Sequence, residues 1–130
     1  MVSRRPVLAG LGLAVLGGPS WAGEQVRMEE VERHGLIGKM KAQPGKRAEL
    51  IAILSAGTRA MPGCLAYVIA EDVKDADGIW VTEVWETKQH HADSLKLPEV
   101  QGAIAQGRPM IAGFETHVET RPVGGVGLDG

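Results

Sequence analysis

The sequence predicts an α+β fold with the ferredoxin-like order βαββαβ. Short runs rich in β-branched and aromatic residues alternate with longer runs in which apolar residues recur every three or four positions. Clusters of Gly, Pro and Asp separate these runs. No internal repeat or low-complexity run competes with this order, so the chain after its N-terminal segment is predicted to form one domain.

The first half of the predicted domain is a strand, a helix and a second strand. The first strand covers residues 36–41 and stops at Pro44-Gly45. The helix covers residues 46–61, because its apolar side chains recur on one face, and Pro62-Gly63 is predicted to end it. The second strand covers residues 65–70.

The second half begins with a turn at residues 75–78 and a third strand at 79–85. Trp80 and Trp85 lie an odd number of positions apart, so their side chains are predicted to point to opposite faces of the sheet. Thr87 is predicted to cap a helical region that starts at Lys88, is interrupted before Pro98 and continues toward residue 107. The fourth strand covers residues 114–120.

The third strand also predicts an oligomer. Bulky apolar groups on both of its faces require cover on both faces of the sheet. In a chain this short, one layer of helices covers only one face. We therefore expect a homodimer in which a second copy covers the other face.

Residues 1–22 have the pattern of a secretory signal peptide. Arg4 and Arg5 precede an apolar run at residues 7–16, and Ser20-Trp21-Ala22 is a small-x-small cleavage pattern. The run is too short to span a membrane, which needs roughly 20 apolar residues. The cleavage site contains no cysteine, so we do not expect a lipid anchor. The paired arginines resemble a twin-arginine signal, with a general secretory signal as the alternative. Either predicts a periplasmic or secreted protein.

Removing 22 of the 130 residues leaves 108, the size of one domain. It divides into a charged linker at 23–34, the folded domain at 35–121 and a glycine-rich tail at 122–130. The signal segment holds two of the 14 basic residues and none of the 16 acidic ones, so the remaining chain carries a formal charge of −4. This balance argues against nucleic acid as a partner. Cys64 is the only cysteine, so no intrachain disulfide is expected.

Five motifs follow one another along the domain. They are Gly35-Leu36-Ile37-Gly38-Lys39-Met40 with Pro44-Gly45, Met61-Pro62-Gly63-Cys64, Thr82-Glu83-Val84-Trp85, His91 with Ser94-Leu95 and Leu97-Pro98-Glu99-Val100, and the stretch at residues 122–128. In this order and spacing they resemble the antibiotic biosynthesis monooxygenase family, and within it the quinol monooxygenase branch.

The resemblance implies a dimeric α/β barrel, in which two four-stranded sheets pack face to face and each protomer keeps a pocket between its sheet and helices. Enzymes of this family oxidise quinols or polycyclic phenols with molecular oxygen and without flavin, haem or metal. The chain is thus expected to be a monooxygenase of a small aromatic substrate, with no cofactor and no metal ion. Its pocket would bind the ring, remove a phenolic proton and exclude water.

The resemblance and the residue chemistry together nominate five side chains. His91 is the predicted general base, because it matches the branch's helical histidine and because imidazole titrates near neutral pH. The predicted substrate-binding side chains are Trp80, Trp85, Tyr67 and Phe114. Packing in the core or at an interface is the alternative role for each of these four.

Neighbouring residues qualify this assignment. His90 lies about 100° around the helix from His91 and is expected to be exposed. Glu83 and Asp93 are candidates to orient a histidine. Many family members carry a histidine where this chain has Ser94, so a mechanism that needs that imidazole does not transfer directly.

Three other functions remain open. The helical trio His90, His91 and Asp93 is poorly spaced for a metal ion, whereas His34 and His117 lie on distant strands that the sequence alone does not place relative to each other. A non-enzymatic binder of an aromatic molecule would use the same pocket. An isomerase acting on small carbonyl compounds would need the base but no oxygen.

Replacing Arg4 and Arg5 with Lys is predicted to block export while leaving folding unchanged, because both residues lie outside the predicted domain. Cell fractionation and immunoblotting measure the exported fraction, and circular dichroism of the recovered protein checks the fold. Normal export of the double variant would identify a general secretory signal instead.

Overall fold

The computed structural model describes residues 32–128, so the predicted signal peptide and most of the linker lie outside the described residues. In chain order the elements are β1 (His34–Ala42), α1 (Arg47–Gly57), β2 (Cys64–Glu71), β3 (Gly78–Trp85), α2 (Lys88–Ser94), α3 (Pro98–Gly107), a 3₁₀ turn (Arg108–Met110) and β4 (Ile111–Thr120). With α2 and α3 counted as one interrupted helical region, this is the predicted βαββαβ order. None of the described helices has the length and apolar character needed to cross a membrane.

The four strands form one sheet in the order β2-β3-β1-β4, and all neighbours run antiparallel. This arrangement confirms the ferredoxin-like α+β fold. The two central strands, β1 and β3, pair from His34 opposite Trp85 to Lys41 opposite Gly78. The first strand therefore begins one residue earlier than the predicted domain, inside the predicted linker.

The core lies between one face of the sheet and the helices. Leu50 of α1 and Ile79 of β3 are completely buried, and they pack with Ala42 and Val81. Removing these apolar side chains from water is the main favourable contribution to folding. Because Ala42 and Ile79 lie on this face, the alternation of side chains assigns the other even-numbered residues of β1 and odd-numbered residues of β3 to the same side.

Two predicted boundaries differ from the structure by more than two residues. Helix α1 ends at Gly57, before the predicted end at Met61, because Thr58 leaves the helical conformation and its hydroxyl donates to the Leu54 carbonyl at 2.7 Å. Strand β4 begins at Ile111 rather than Phe114. Register irregularities between β1 and β4 interrupt the alternation at this end, which hides the start of the strand in the sequence.

The two tryptophans of β3 point to opposite faces, as predicted. Trp85 is completely buried on the helix side. Trp80 lies on the outer face, where its indole N–H donates to Asp72 Oδ2 at 2.9 Å and Lys39 Nζ lies 5.8 Å from its ring. The start of α2 is also as predicted, because the Thr87 hydroxyl accepts the His90 backbone N–H at 3.1 Å.

The turn that leads into β2 depends on Gly63, which has φ = 79°. A Cβ at this position would overlap the His90 side chain, including the His90 Cβ that a change of rotamer does not move. Gly63→Ala is predicted to lower the free energy of unfolding by about 2–3 kcal/mol, through backbone strain and this overlap together. Urea unfolding measures the change.

Gly45→Ala is the matched control. Gly45 has φ = 78°, but nothing lies within 4 Å of the added Cβ, so only the backbone strain of about 1 kcal/mol applies. Equal losses for the two variants would contradict a contribution from His90.

Candidate functional site

Two adjoining cavities lie on the helix side of the sheet. The first, of about 390 Å³, has strand residues as its walls and includes Glu83 and His117. The second, of about 550 Å³, extends between β4 and the apolar side chains of α1 and α3. Both are lined by Met40, Tyr67 and Phe114. Cavities of this size and apolar character suit a small organic ligand.

Glu83 provides a carboxylate on the wall of the first cavity. It lies two residues before Trp85 on β3, on the same face of the sheet. The Trp85 indole N–H donates to Glu83 Oε1 at 2.9 Å, which fixes the carboxyl group. Burial raises the pKa of Glu83 above its ordinary value, and the hydrogen bond from Trp85 opposes this only in part.

His91 lies next to this carboxylate, with its Nε2 3.9 Å from Glu83 Oε1. Its ring meets the edge of Trp85 at a centroid distance of 5.4 Å and lies 5.5 Å from the ring of His34. Burial and the neighbouring His117 lower the pKa of His91, whereas Glu119 opposes this shift. The imidazole is therefore neutral at pH 7 and able to accept a proton.

The environments of Glu83 and His91 bring their pKa values toward each other. A glutamate ordinarily titrates well below a histidine, but here the pKa of Glu83 is raised and that of His91 is lowered. A smaller difference in pKa makes proton transfer between the two groups less costly. Glu83 and His91 are thus suited to act as one proton-accepting pair, and Glu83 lines the cavity.

Tyr67 and Phe114 occupy the cavity walls, as expected of substrate-binding residues. Tyr67 pairs with Glu83 across β2 and β3. Burial, and then the charge of Glu83, raise the pKa of Tyr67, so its hydroxyl stays protonated and can donate a hydrogen bond. Phe114 lies on the edge strand β4, where it lines both cavities and is 73% exposed to solvent.

The two tryptophans do not line either cavity. Trp85 has no exposed surface and acts through its contacts with Glu83 and His91. Trp80 lies on the opposite face of the sheet, against Lys39 and Asp72. The structure therefore brings Tyr67, Phe114 and the supporting Trp85 to one side of the sheet and leaves Trp80 on the other.

The other residues near α2 have separate partners. His90 is half-buried rather than exposed, because it packs over Gly63 and its Nδ1 lies 2.7 Å from the Thr87 hydroxyl. Asp93 accepts a hydrogen bond from Gln89 at 2.8 Å and does not orient a histidine. Ser94 is buried, and its hydroxyl donates to the His91 carbonyl at 2.6 Å.

His34 and His117 join the site, although sequence reasoning raised them only as distant candidates for a metal site. His34 is buried, and burial and the neighbouring His91 lower its pKa. His117 belongs to β4, where it pairs with Gly38 of β1, and it lines the first cavity. Within residues 32–128, no three His, Cys, Asp or Glu side chains are grouped so as to hold a metal ion.

Comparisons with known proteins identify a single family. A model of the family described as antibiotic biosynthesis monooxygenase matches residues 33–106. A structure from Chloroflexus aurantiacus, named for the same family, is 59% identical, with 74% of this chain and 98% of that chain covered and a TM-score of 0.73. No curated protein matches the chain.

Two more distant structures share the fold. One from Caulobacter crescentus, also named for the family, is 19% identical, with 78% of this chain and 99% of that chain covered and a TM-score of 0.64. SnoaB from Streptomyces nogalater, named as a cofactor-independent oxygenase, is 13% identical, with 73% and 97% covered and a TM-score of 0.61. At these identities the likeness extends to the fold alone.

NMR titration of the His91 ring is predicted to give a pKa below the ordinary 6.5. His117→Gln should raise this pKa, because it removes a neighbouring positive charge, whereas Glu119→Gln should lower it further, because it removes a stabilising negative charge. Shifts of the same sign in both variants would contradict this electrostatic arrangement.

Proposed function

Because the chain belongs to the antibiotic biosynthesis monooxygenase family, we propose that it is a cofactor-independent oxygenase of quinols or related phenols. The observation that carries the proposal is the Glu83–His91 pair, with its converging pKa values, at the wall of an apolar cavity. Such a cavity binds an aromatic ring, and such a pair accepts a phenolic proton.

In the proposed reaction, the Tyr67 hydroxyl donates a hydrogen bond to one oxygen of the quinol and Glu83 faces the other. Glu83 accepts the phenolic proton, and His91, at 3.9 Å, receives it in turn. The apolar walls limit the access of water to the deprotonated substrate. His91 thus keeps the role of base that the sequence predicted, with Glu83 between it and the substrate.

The deprotonated quinol then supplies the electrons. Overall, one quinol and one molecule of oxygen give one hydroxyquinone and one water: one oxygen atom forms a new C–O bond to the ring, and the other leaves as water. The quinol provides all four electrons that reduce the oxygen molecule, so the balance needs no further reductant.

We also propose that the protein is a homodimer through the outer face of its sheet, with the two sheets forming the dimeric α/β barrel. A row of side chains crosses this face from Val68 through Thr82 and Ile37 to Val118. Val68 is 54% exposed and Val118 46% exposed. Burying this row against a second copy would remove apolar surface from water.

Val68→Lys is predicted to convert the dimer to a monomer, because two copies would place an unpaired charge in the apolar contact. Analytical ultracentrifugation at micromolar concentration measures the mass. Val73→Lys is the matched control, since Val73 is 95% exposed in the β2–β3 loop. A monomeric wild type would overturn the proposed assembly.

His91→Ala and Glu83→Gln are each predicted to lower oxygen consumption with a quinol by about 10²–10⁴-fold, because each removes part of the proton-accepting pair. His90→Ala should have little effect, since His90 contacts Thr87 rather than Glu83. An oxygen electrode measures the rate.

The pH profile gives a second measurement. Activity should fall with decreasing pH only below 6.5, since burial lowers the pKa of His91 and the imidazole must be neutral to accept the proton. Full activity of His91→Ala would exclude His91 from the reaction. A wild type that binds quinols but consumes no oxygen would favour the non-enzymatic binder.

A further inference from the structure

Two cationic residues, Lys39 and Arg108, border the two adjoining cavities. The Lys39 side chain, however, lies on the outer face of the sheet, against Trp80. Lys39 is already neutralised, because its Nζ lies 3.3 Å from Asp72, 3.2 Å from Asp75 and 3.2 Å from Glu115. These carboxylates, Glu115 first among them, raise the pKa of Lys39. The charge of Lys39 is therefore already paired on the outer face and is not available to a ligand in the cavities.

Arg108 is in a different situation. It follows α3, and its backbone N–H donates to the Ile104 carbonyl, which fixes the start of its side chain at the cavity. Among residues 32–128, its guanidinium has no hydrogen bond or ion pair. A guanidinium stays charged at any physiological pH and carries five N–H donors in a fixed planar arrangement.

The surroundings of Arg108 are apolar. Leu50 and Leu54 of α1 and Ala103 and Ile104 of α3 line the same cavity. An unpaired guanidinium beside such walls matches a ligand with an apolar body and one anionic end, because a carboxylate accepts two parallel hydrogen bonds from it.

We propose that Arg108 is an anion subsite, which selects substrates that carry a carboxylate on their aromatic body. The ligand would span both cavities, with its carboxylate at Arg108 and its phenolic end at Glu83, on either side of the shared walls Met40, Tyr67 and Phe114. The inference rests on the proposed function, since it concerns the ligand of the same site. It narrows the substrate class to aromatic acids that also carry a quinol or phenol.

The subsite is a determinant of specificity rather than a requirement for binding. Arg108 is exposed, so in the absence of a carboxylate its guanidinium remains hydrated at little cost. A neutral ring would still enter the apolar cavities, but with lower affinity.

Isothermal titration calorimetry at pH 7.5 with 2-naphthoate and 2-naphthamide tests the subsite. The two probes share a ring system and differ in charge, and neither is a quinol, so oxygen chemistry does not enter the measurement. We expect 2-naphthoate to bind about five- to tenfold more tightly, as a charge-assisted bidentate contact at a partly exposed site allows.

Variants assign this preference to one residue. Arg108→Gln should remove the preference for 2-naphthoate while leaving the affinity for 2-naphthamide within about twofold of the wild type. Arg108→Lys should retain part of the preference for 2-naphthoate, since an ammonium keeps the positive charge but lacks the planar arrangement of N–H donors. Arg59→Gln removes the same charge at an exposed position outside both cavities and should change nothing.

Equal affinity of the wild type for the two probes, or no binding of 2-naphthoate, would overturn the subsite. So would an undiminished preference in Arg108→Gln. Failure of the proposed oxygenase gives a different pattern, in which the preference for 2-naphthoate persists and no quinol supports oxygen consumption. His91→Ala, in turn, should lower turnover by about 10²–10⁴-fold and keep the preference.

Discussion

The burial of Trp85 is the interaction on which the rest of the site depends. In the sheet, Trp85 of β3 pairs with His34 of β1 and with Cys64 of β2, so it lies where these three neighbouring strands meet at one end of the sheet. Its ring contacts His91 of α2, and its indole N–H holds Glu83. Because the ring has no exposed surface, the sheet, the second helix and the carboxylate are held in one fixed arrangement.

The two faces of the sheet have different tasks because the helices cover only one of them. The covered face carries the core and the cavities, and there the titratable groups lie among apolar walls that shift their pKa values. The outer face combines a central apolar row with an ionic cluster at one end, where Lys39 and Lys41 meet Asp72, Asp75 and Glu115. An apolar surface with a fully paired charge cluster beside it suits contact with another protein surface better than permanent exposure.

Local patterns in the sequence predicted the fold well. The order of the elements, the Thr87 cap and the opposite orientations of Trp80 and Trp85 each depend on a few neighbouring residues, and the structure agrees with all three. The same alternation of two places Glu83 beside Trp85, so their shared face was accessible from the sequence as well.

The features that sequence reasoning missed are contacts between distant residues. His34 and His117 reach the site through the pairing of β1 with β3 and β4. Whether an arginine such as Arg108 is paired or free depends on the whole fold, and so does the neutralisation of Lys39 by acids of the β2–β3 loop and β4. No local spacing encodes these relations.

Ser94 stands at a position where the resemblance to the family leads us to expect a histidine. The Ser94 hydroxyl is turned back onto the His91 carbonyl, where it holds the end of α2 rather than facing a substrate. In the proposed mechanism the proton-accepting groups are instead Glu83 and His91, whose pKa values burial moves toward each other. Two adjacent groups whose pKa values are moved toward each other can pass a proton between them at a lower cost than an ordinary glutamate and histidine. In that mechanism the base depends on the packing of Trp85 against Glu83 and His91 as much as on either titratable residue.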